Sequence, residues 1–178
     1  MKLLRIIIVI IAIFSLVGCK KNISNSFKNP KDIKMKDDIG TIKVTYDNDG
    51  TFTEQKDGNF KTLDNRQSNF RISFKFADKR VSDIKKLKQN YKQATIYDVI
   101  DNIEHNGYKG FVVINKNNLT AQVYLYIKKN KSITLIVKIT PISTKDAIES
   151  LKDKNKPQDV LYKKKKVQDI LNTIKYTK

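Results

Sequence analysis

Apolar and polar positions alternate along several stretches of this chain. Ile42, Val44 and Tyr46 alternate with Thr41, Lys43 and Thr45, and Phe70, Ile72, Phe74 and Phe76 alternate with Arg71, Ser73 and Lys75. Further on, Val123, Leu125 and Ile127 share one parity, as do Ile133, Leu135, Val137 and Ile139. A period of two puts these side chains on one face of an extended chain, so each stretch predicts a half-buried strand. The apolar run Gly110–Ile114 predicts a further strand, and Leu119–Ile127 the one after a turn at Asn115–Asn118. Asp47-Asn48-Asp49-Gly50 has turn chemistry and predicts a hairpin, with Asp-Gly in a type I′ turn and Thr51–Thr53 as the short return strand. Lys128–Lys131 reads as a hairpin loop, and Pro141 stops the strand after it.

Elsewhere the period lengthens. Val81, Ile84, Leu87 and Tyr91 fall three or four residues apart and predict a helix. Thr95 is a candidate N-cap for a second helix with the stripe Ile96, Val99, Ile100 and Ile103, closed by Asn106-Gly107 as a left-handed C-cap. Ser143 is placed to cap a short helix over Ala147, Ile148 and Leu151. Pro157 and Gln158 open a last helix with the stripe Val160, Val167, Ile170, Leu171 and Ile174. Strands, helices, three strands in hairpin succession and helices again predict an α+β domain over residues 39–178, an antiparallel sheet flanked by helices.

The N-terminal part is different. Residues 20–38 have no sustained apolar period, contain Pro30 and predict a flexible tether. Before them, Lys2 and Arg5 precede an apolar run from Ile6 to Phe14, shorter than the ~20 residues of a spanning helix and typical of an export signal. The exit, Leu16-Val17-Gly18-Cys19, resembles the lipobox of bacterial lipoproteins. That resemblance implies a signal peptide over 1–18, a diacylglyceryl thioether on Cys19 with cleavage before it, and a lipidated tether over 19–38. The expected location is the extracytoplasmic face of the cell membrane.

Two scarcities narrow the chemistry. Cys19 is the only cysteine, so no internal disulfide forms and acylation leaves no thiol. His105 is the only histidine, so any Ser-His-Asp or Cys-His device would run through it, and a His-rich zinc site cannot be built. Its position after Glu104, at the end of the predicted second helix, suits a cation at a helix C-terminus. With Gly50 as sixth position of a calcium loop, Thr45 and Lys56 would be first and twelfth, and neither is acidic. No metal and no cofactor are expected, and the chain is expected not to be an enzyme.

The charge adds a partner class. The chain has 36 Lys+Arg against 18 Asp+Glu, and beyond the leader only Arg66, Arg71 and Arg80 are arginines. Base and phosphate recognition favours arginine forks, so nucleic acid is not the expected partner. Lysine excess outside the cell fits anionic lipid headgroups or cell-wall polyanions. A competing account is composition alone, since Asn and Ile are abundant too. Lys163, Lys164, Lys165 and Lys166 are the densest run, and with Lys85, Lys86 and Lys88 they are candidates for an anionic-surface contact; the other account is a solvated helix start. Tyr124 and Tyr126 share a strand face, a binding surface if open and core if a helix covers it.

From Ile39 to Lys178 the order of elements resembles the PsbP-like lipoproteins of Gram-positive bacteria. The resembling marks are Phe70–Phe76, the predicted helix Tyr97–Ile103 followed by Gly107-Tyr108-Lys109-Gly110, the Tyr124–Ile139 hairpin and Ile170–Tyr176. Lys163–Lys166 and the long Lys79–Ala94 connection depart from that pattern. The resemblance implies an α-β-α sandwich and a non-enzymatic accessory or binding habit, and it transfers no functional residues. The expectation is a monomeric module, anchored to the membrane by lipid, that contacts anionic lipid, a cell-wall polymer or another envelope protein. The alternative is a small-ligand receptor with a pocket between sheet and helices.

Overall fold

The computed structural model describes residues 26–38, 40–57, 60–78, 81–128, 133–143, 145 and 161–178. Among these, ten strands form two antiparallel sheets. The larger sheet contains β3 (Phe52–Asp57), β4 (Phe60–Asn65), β5 (Phe70–Asp78), β6 (Tyr97–His105), β7 (Tyr108–Asn115), β8 (Ala121–Lys128) and β9 (Ile133–Thr140) in the order β3-β4-β5-β9-β8-β7-β6. The smaller contains β1 (Pro30–Asp37), β2 (Gly40–Asp47) and β10 (Lys175–Thr177) in the order β1-β2-β10. Helix α1 (Val81–Gln93) and helix α2 (Lys165–Leu171), the latter preceded by a 3₁₀ turn at Leu161–Lys163, complete the described elements. This corrects the expected α-β-α sandwich: among the described residues the chain is mostly β, with two short helices.

The core lies between the sheets. Phe70, Ile72 and Phe74 of β5, Val123 and Leu125 of β8, and Leu135, Val137 and Ile139 of β9 point inward, as their alternation predicts. Ile33 and Met35 of β1 and Ile42, Val44 and Tyr46 of β2 meet them from the smaller sheet, and Val167, Ile170, Leu171 and Ile174 close one end. Each of these side chains contributes about 1.5–3 kcal/mol by leaving water. Polar ties hold the layers in register. The Tyr46 hydroxyl donates to Glu54 Oε1 at 2.8 Å, and Lys31 reaches the same carboxylate at 3.0 Å. The Thr173 hydroxyl accepts the Thr45 N–H at 2.9 Å, joining the end of α2 to β2.

Helix α1 covers the opposite face of the larger sheet, where Ile84 packs with Phe111, Val113 and Tyr124. Residues Phe111–Ile114 of β7 are therefore buried on both faces, which is why their run is apolar without alternation. Tyr124 stacks on Phe111 with ring centroids 4.7 Å apart and is core, and burial pushes its hydroxyl pKa far up.

Three expectations fail locally. The predicted helix over 96–103 is, from Tyr97 on, strand β6, and Ile96 lies in the turn before it. A bulge between Ile100 and Ile103, with Asn102 at φ 56°, skips the register and brings both isoleucines to the inner face. Spacings of three and four therefore arise from a bulged strand. Asn106 and Gly107, at φ 48° and 84°, form the two-residue turn into β7 in place of a helix cap. The predicted hairpin at Asp47–Gly50 is a crossing between sheets, since β2 and β3 pair with different partners. Finally, residues 30–37 of the expected tether form a strand: β1 pairs along its length with β2, from Pro30 opposite Asp47 to Asp37 opposite Gly40. The Ser143-capped helix over 147–151, Pro157, Gln158, Val160 and the loop residues 129–131 lie outside the described residues.

Candidate functional site

Cys19 and the expected signal peptide over 1–18 lie outside the described residues. The four-lysine run is not one helical patch. Lys163 ends the 3₁₀ turn and is exposed, while Lys164 is the N-cap residue of α2, with its Nζ 3.2 Å from the Ser68 carbonyl. Lys165 pairs with Asp169 at 2.6 Å and Lys166 with Asp49 at 3.2 Å. Lysines in the first turn of a helix oppose its dipole, and these two carboxylates offset that. Lys85 and Lys86 stand exposed on α1, whereas Lys88 and Lys92 both grip Asp101, Lys88 at 2.9 Å. Because α1 and α2 lie on opposite faces of the larger sheet, the structure does not bring the two lysine groups onto one surface.

His105 is 3% exposed at the end of β6. Its Nδ1 lies 2.8 Å from Asn172 Oδ1 and its Nε2 3.0 Å from the Tyr162 hydroxyl. Asn172 Oδ1 can only accept, so Nδ1 carries the proton and Nε2 accepts from Tyr162. Burial lowers its pKa, and the hydrogen bond to Asn172 opposes this only partly. Both ring nitrogens are engaged in joining the β6–β7 hairpin to the C-terminal segment.

Among the described residues, two clefts open on the surface. One, of about 350 Å³, lies between Ser26-Phe27, the β2–β3 crossing and α2, and is lined by Asp47, Asp49, Phe52, Lys165, Lys166, Asp169 and Ile170. Its carboxylates have partners within the protein. Asp47 accepts the Asn29 N–H at 2.9 Å, and Asp49 accepts from the Thr51 hydroxyl and, with it, from Lys166. The Thr51 hydroxyl foremost holds the Asp49 carboxyl below its ordinary pKa. The second cleft, of about 330 Å³, is lined by Lys88, Asn102, Glu104, Lys109, Gly110, Phe111 and Tyr126 beside α1.

A third feature is the outer face of the smaller sheet. Ile33, Met35, Ile42, Val44 and Tyr176 point inward, so residues of the other parity point out. The register sets Lys34 opposite Lys43, and Lys43 opposite Lys175. Three lysines therefore stand in one row across three strands, with Lys36 one step along β1 beside Thr41. Opposed residues in such pairs lie about 4.5–5.5 Å apart, and like charges there destabilise the sheet. Asp32 and, at the far end of β2, Asp47 are the carboxylates of this parity; Asp32 pairs with Lys43 at 2.7 Å and accepts from Thr45 at 2.8 Å. Partial burial raises the Asp32 pKa, but the Lys43 and Thr45 hydrogen bonds outweigh that and hold it below the ordinary value. Asp38 stands in the turn beyond β1.

The sequence carried a faint sign of this face: Ile33-Lys34-Met35-Lys36 alternates. Two apolar residues amid a polar stretch with Pro30 did not suffice to predict a strand, and the three residues of β10 have no pattern of their own. Among the described residues no helix is long and apolar enough to cross a membrane, and no group of three or more His, Cys, Asp or Glu could hold a metal ion. Compared with known proteins, the chain matches no family model, no curated protein and no solved structure.

Proposed function

We propose that this chain is an exported lipoprotein, anchored through Cys19 at the extracytoplasmic membrane face, whose domain is a non-enzymatic binding module for an anionic partner. The carrying observation is the lysine row Lys34, Lys43 and Lys175, with Lys36 beside it. Like charges opposed across three strands cost the fold stability, and an anionic partner outside the fold would offset that cost. The state of His105 supports a non-enzymatic reading: a buried imidazole hydrogen-bonded at both nitrogens is a structural link.

Two measurements test this proposal. Metabolic labelling with a fatty-acid analogue marks the wild type, and Cys19→Ala abolishes the mark; equal labelling of both would remove the anchor. The unacylated mature chain binds a soluble polyanion such as inorganic polyphosphate, and binding weakens steeply with salt. Salt-independent binding, or none, would remove the anionic partner.

A second reading, a small-ligand receptor, draws on the 350 Å³ cleft. Its mixed charges over Phe27, Phe52 and Ile170 suit a small zwitterion with an apolar part. A screen of such compounds by melting shift, repeated on Phe52→Ala, tests it.

A further inference from the structure

The lysine face has a geometry that narrows its partner. It is one side of a short three-stranded sheet; none of the outward-parity residues of its strands is aromatic, and the first cleft meets it only at its Asp47 end. Lys34, Lys36 and Lys175 are exposed, and Lys43 is half-exposed beside Asp32. Nothing there could stack on a sugar or enclose a repeat unit of a polymer. Lysine ammonium groups act as point charges without the fixed fork that reads individual phosphates. A broad, featureless plane of positive charge fits a broad plane of negative charge.

Position points the same way. Ser26 is seven residues beyond Cys19, so a fully extended chain sets it at most about 25 Å from the acylated sulfur. Strand β1, which carries Lys34 and Lys36, begins only four residues later at Pro30. Tethering at that range gives the face a high effective concentration at the surface holding the anchor.

We infer that the outer face of the β1-β2-β10 sheet docks on the anionic headgroups of the membrane to which the chain is anchored. This rests on the lipid-anchored, anion-binding reading above. Docked so, the domain lies with the smaller sheet against the headgroups and α1, on the far face of the larger sheet, turned away from them.

The test uses the mature chain from residue 19 with Cys19→Ser, which keeps every described element without an acyl group. Its binding is measured on phosphatidylcholine vesicles with and without phosphatidylglycerol, and on inorganic polyphosphate. Two triple variants remove equal charge from exposed positions: Lys34→Gln/Lys36→Gln/Lys175→Gln on the face, and Lys85→Gln/Lys86→Gln/Lys109→Gln on the α1 side. Among the vesicles, the expected result is binding only where phosphatidylglycerol is present, weakened on the order of a hundredfold at low salt by the first triple and far less by the second. Equal losses would overturn the inference, since net charge alone would then account for binding. Polyphosphate binding through the face without vesicle binding would overturn the bilayer as partner and leave the anion-binding reading standing. Binding to neither would overturn both.

Discussion

His105 and Tyr162 meet across 57 residues of sequence, with Nε2 3.0 Å from the Tyr162 hydroxyl, inside the join between the β6–β7 hairpin and the C-terminal segment. Asn172 holds the other ring nitrogen, and Asn106 donates to the Ile174 carbonyl at 2.6 Å beside it. The last strand of the smaller sheet thus depends on a hairpin of the larger one. Tyr162→Phe removes the donor and leaves Nε2 buried without a partner, which costs about 1–3 kcal/mol. Denaturant unfolding should show that loss at unchanged m-value; an unchanged midpoint would show that the bond adds nothing.

The same imidazole makes stability depend on pH. Its folded pKa lies below the ordinary value of 6.5 because burial disfavours the charged ring. Between the two values the unfolded chain binds a proton that the folded chain does not, so stability rises with pH in that window. The contribution is complete above about pH 6.5 and is lost as pH falls through the folded pKa. Melting curves from about pH 7.5 down to about pH 5.5 should show a decline that His105→Gln, though less stable throughout, lacks.

Asn102 discriminates strand from helix. At φ 56° it occupies the left-handed region inside the β6 bulge. Asn102→Ala should destabilise by roughly 1 kcal/mol, since alanine tolerates that region less well. In a helix the same change would stabilise by about half a kcal/mol. Thermal or denaturant unfolding reads the sign directly.

The lysine row should carry a cost to folding. Lys34→Thr and Lys175→Thr each remove a like charge opposite Lys43. Each should add a few tenths of a kcal/mol at low salt, roughly a degree in melting temperature for a domain of this size. The gain should vanish at high salt as screening removes the repulsion. A loss of stability at low salt would show that these lysines support the sheet.

The sequence by itself determined much of the core. Phe74, Leu135 and Val137 are fully buried on the inner face because alternation permits only one burial pattern for a strand with one covered side. The α1 stripe was equally legible, since Ile84 and Leu87 must share a helical face. Tertiary structure decided the rest. Ile96, Val99, Ile100 and Ile103 fit a helical period, and only pairing with β7 through the Asn106-Gly107 turn made the last three part of a bulged strand, leaving Ile96 exposed before it. Strand β1 and the three residues of β10 exist because β2 offers both its edges; each contributes too few apolar residues to order alone. Gly40 admits the Tyr176 ring against its backbone, a contact between residues far apart in sequence. The lysine face follows from these long-range pairings. Lys34, Lys43 and Lys175 are scattered along the chain, and hydrogen-bond register alone sets them side by side. The consecutive lysines that dominate the sequence were instead drawn to Ser68, Asp169 and Asp49 by the packing of α2.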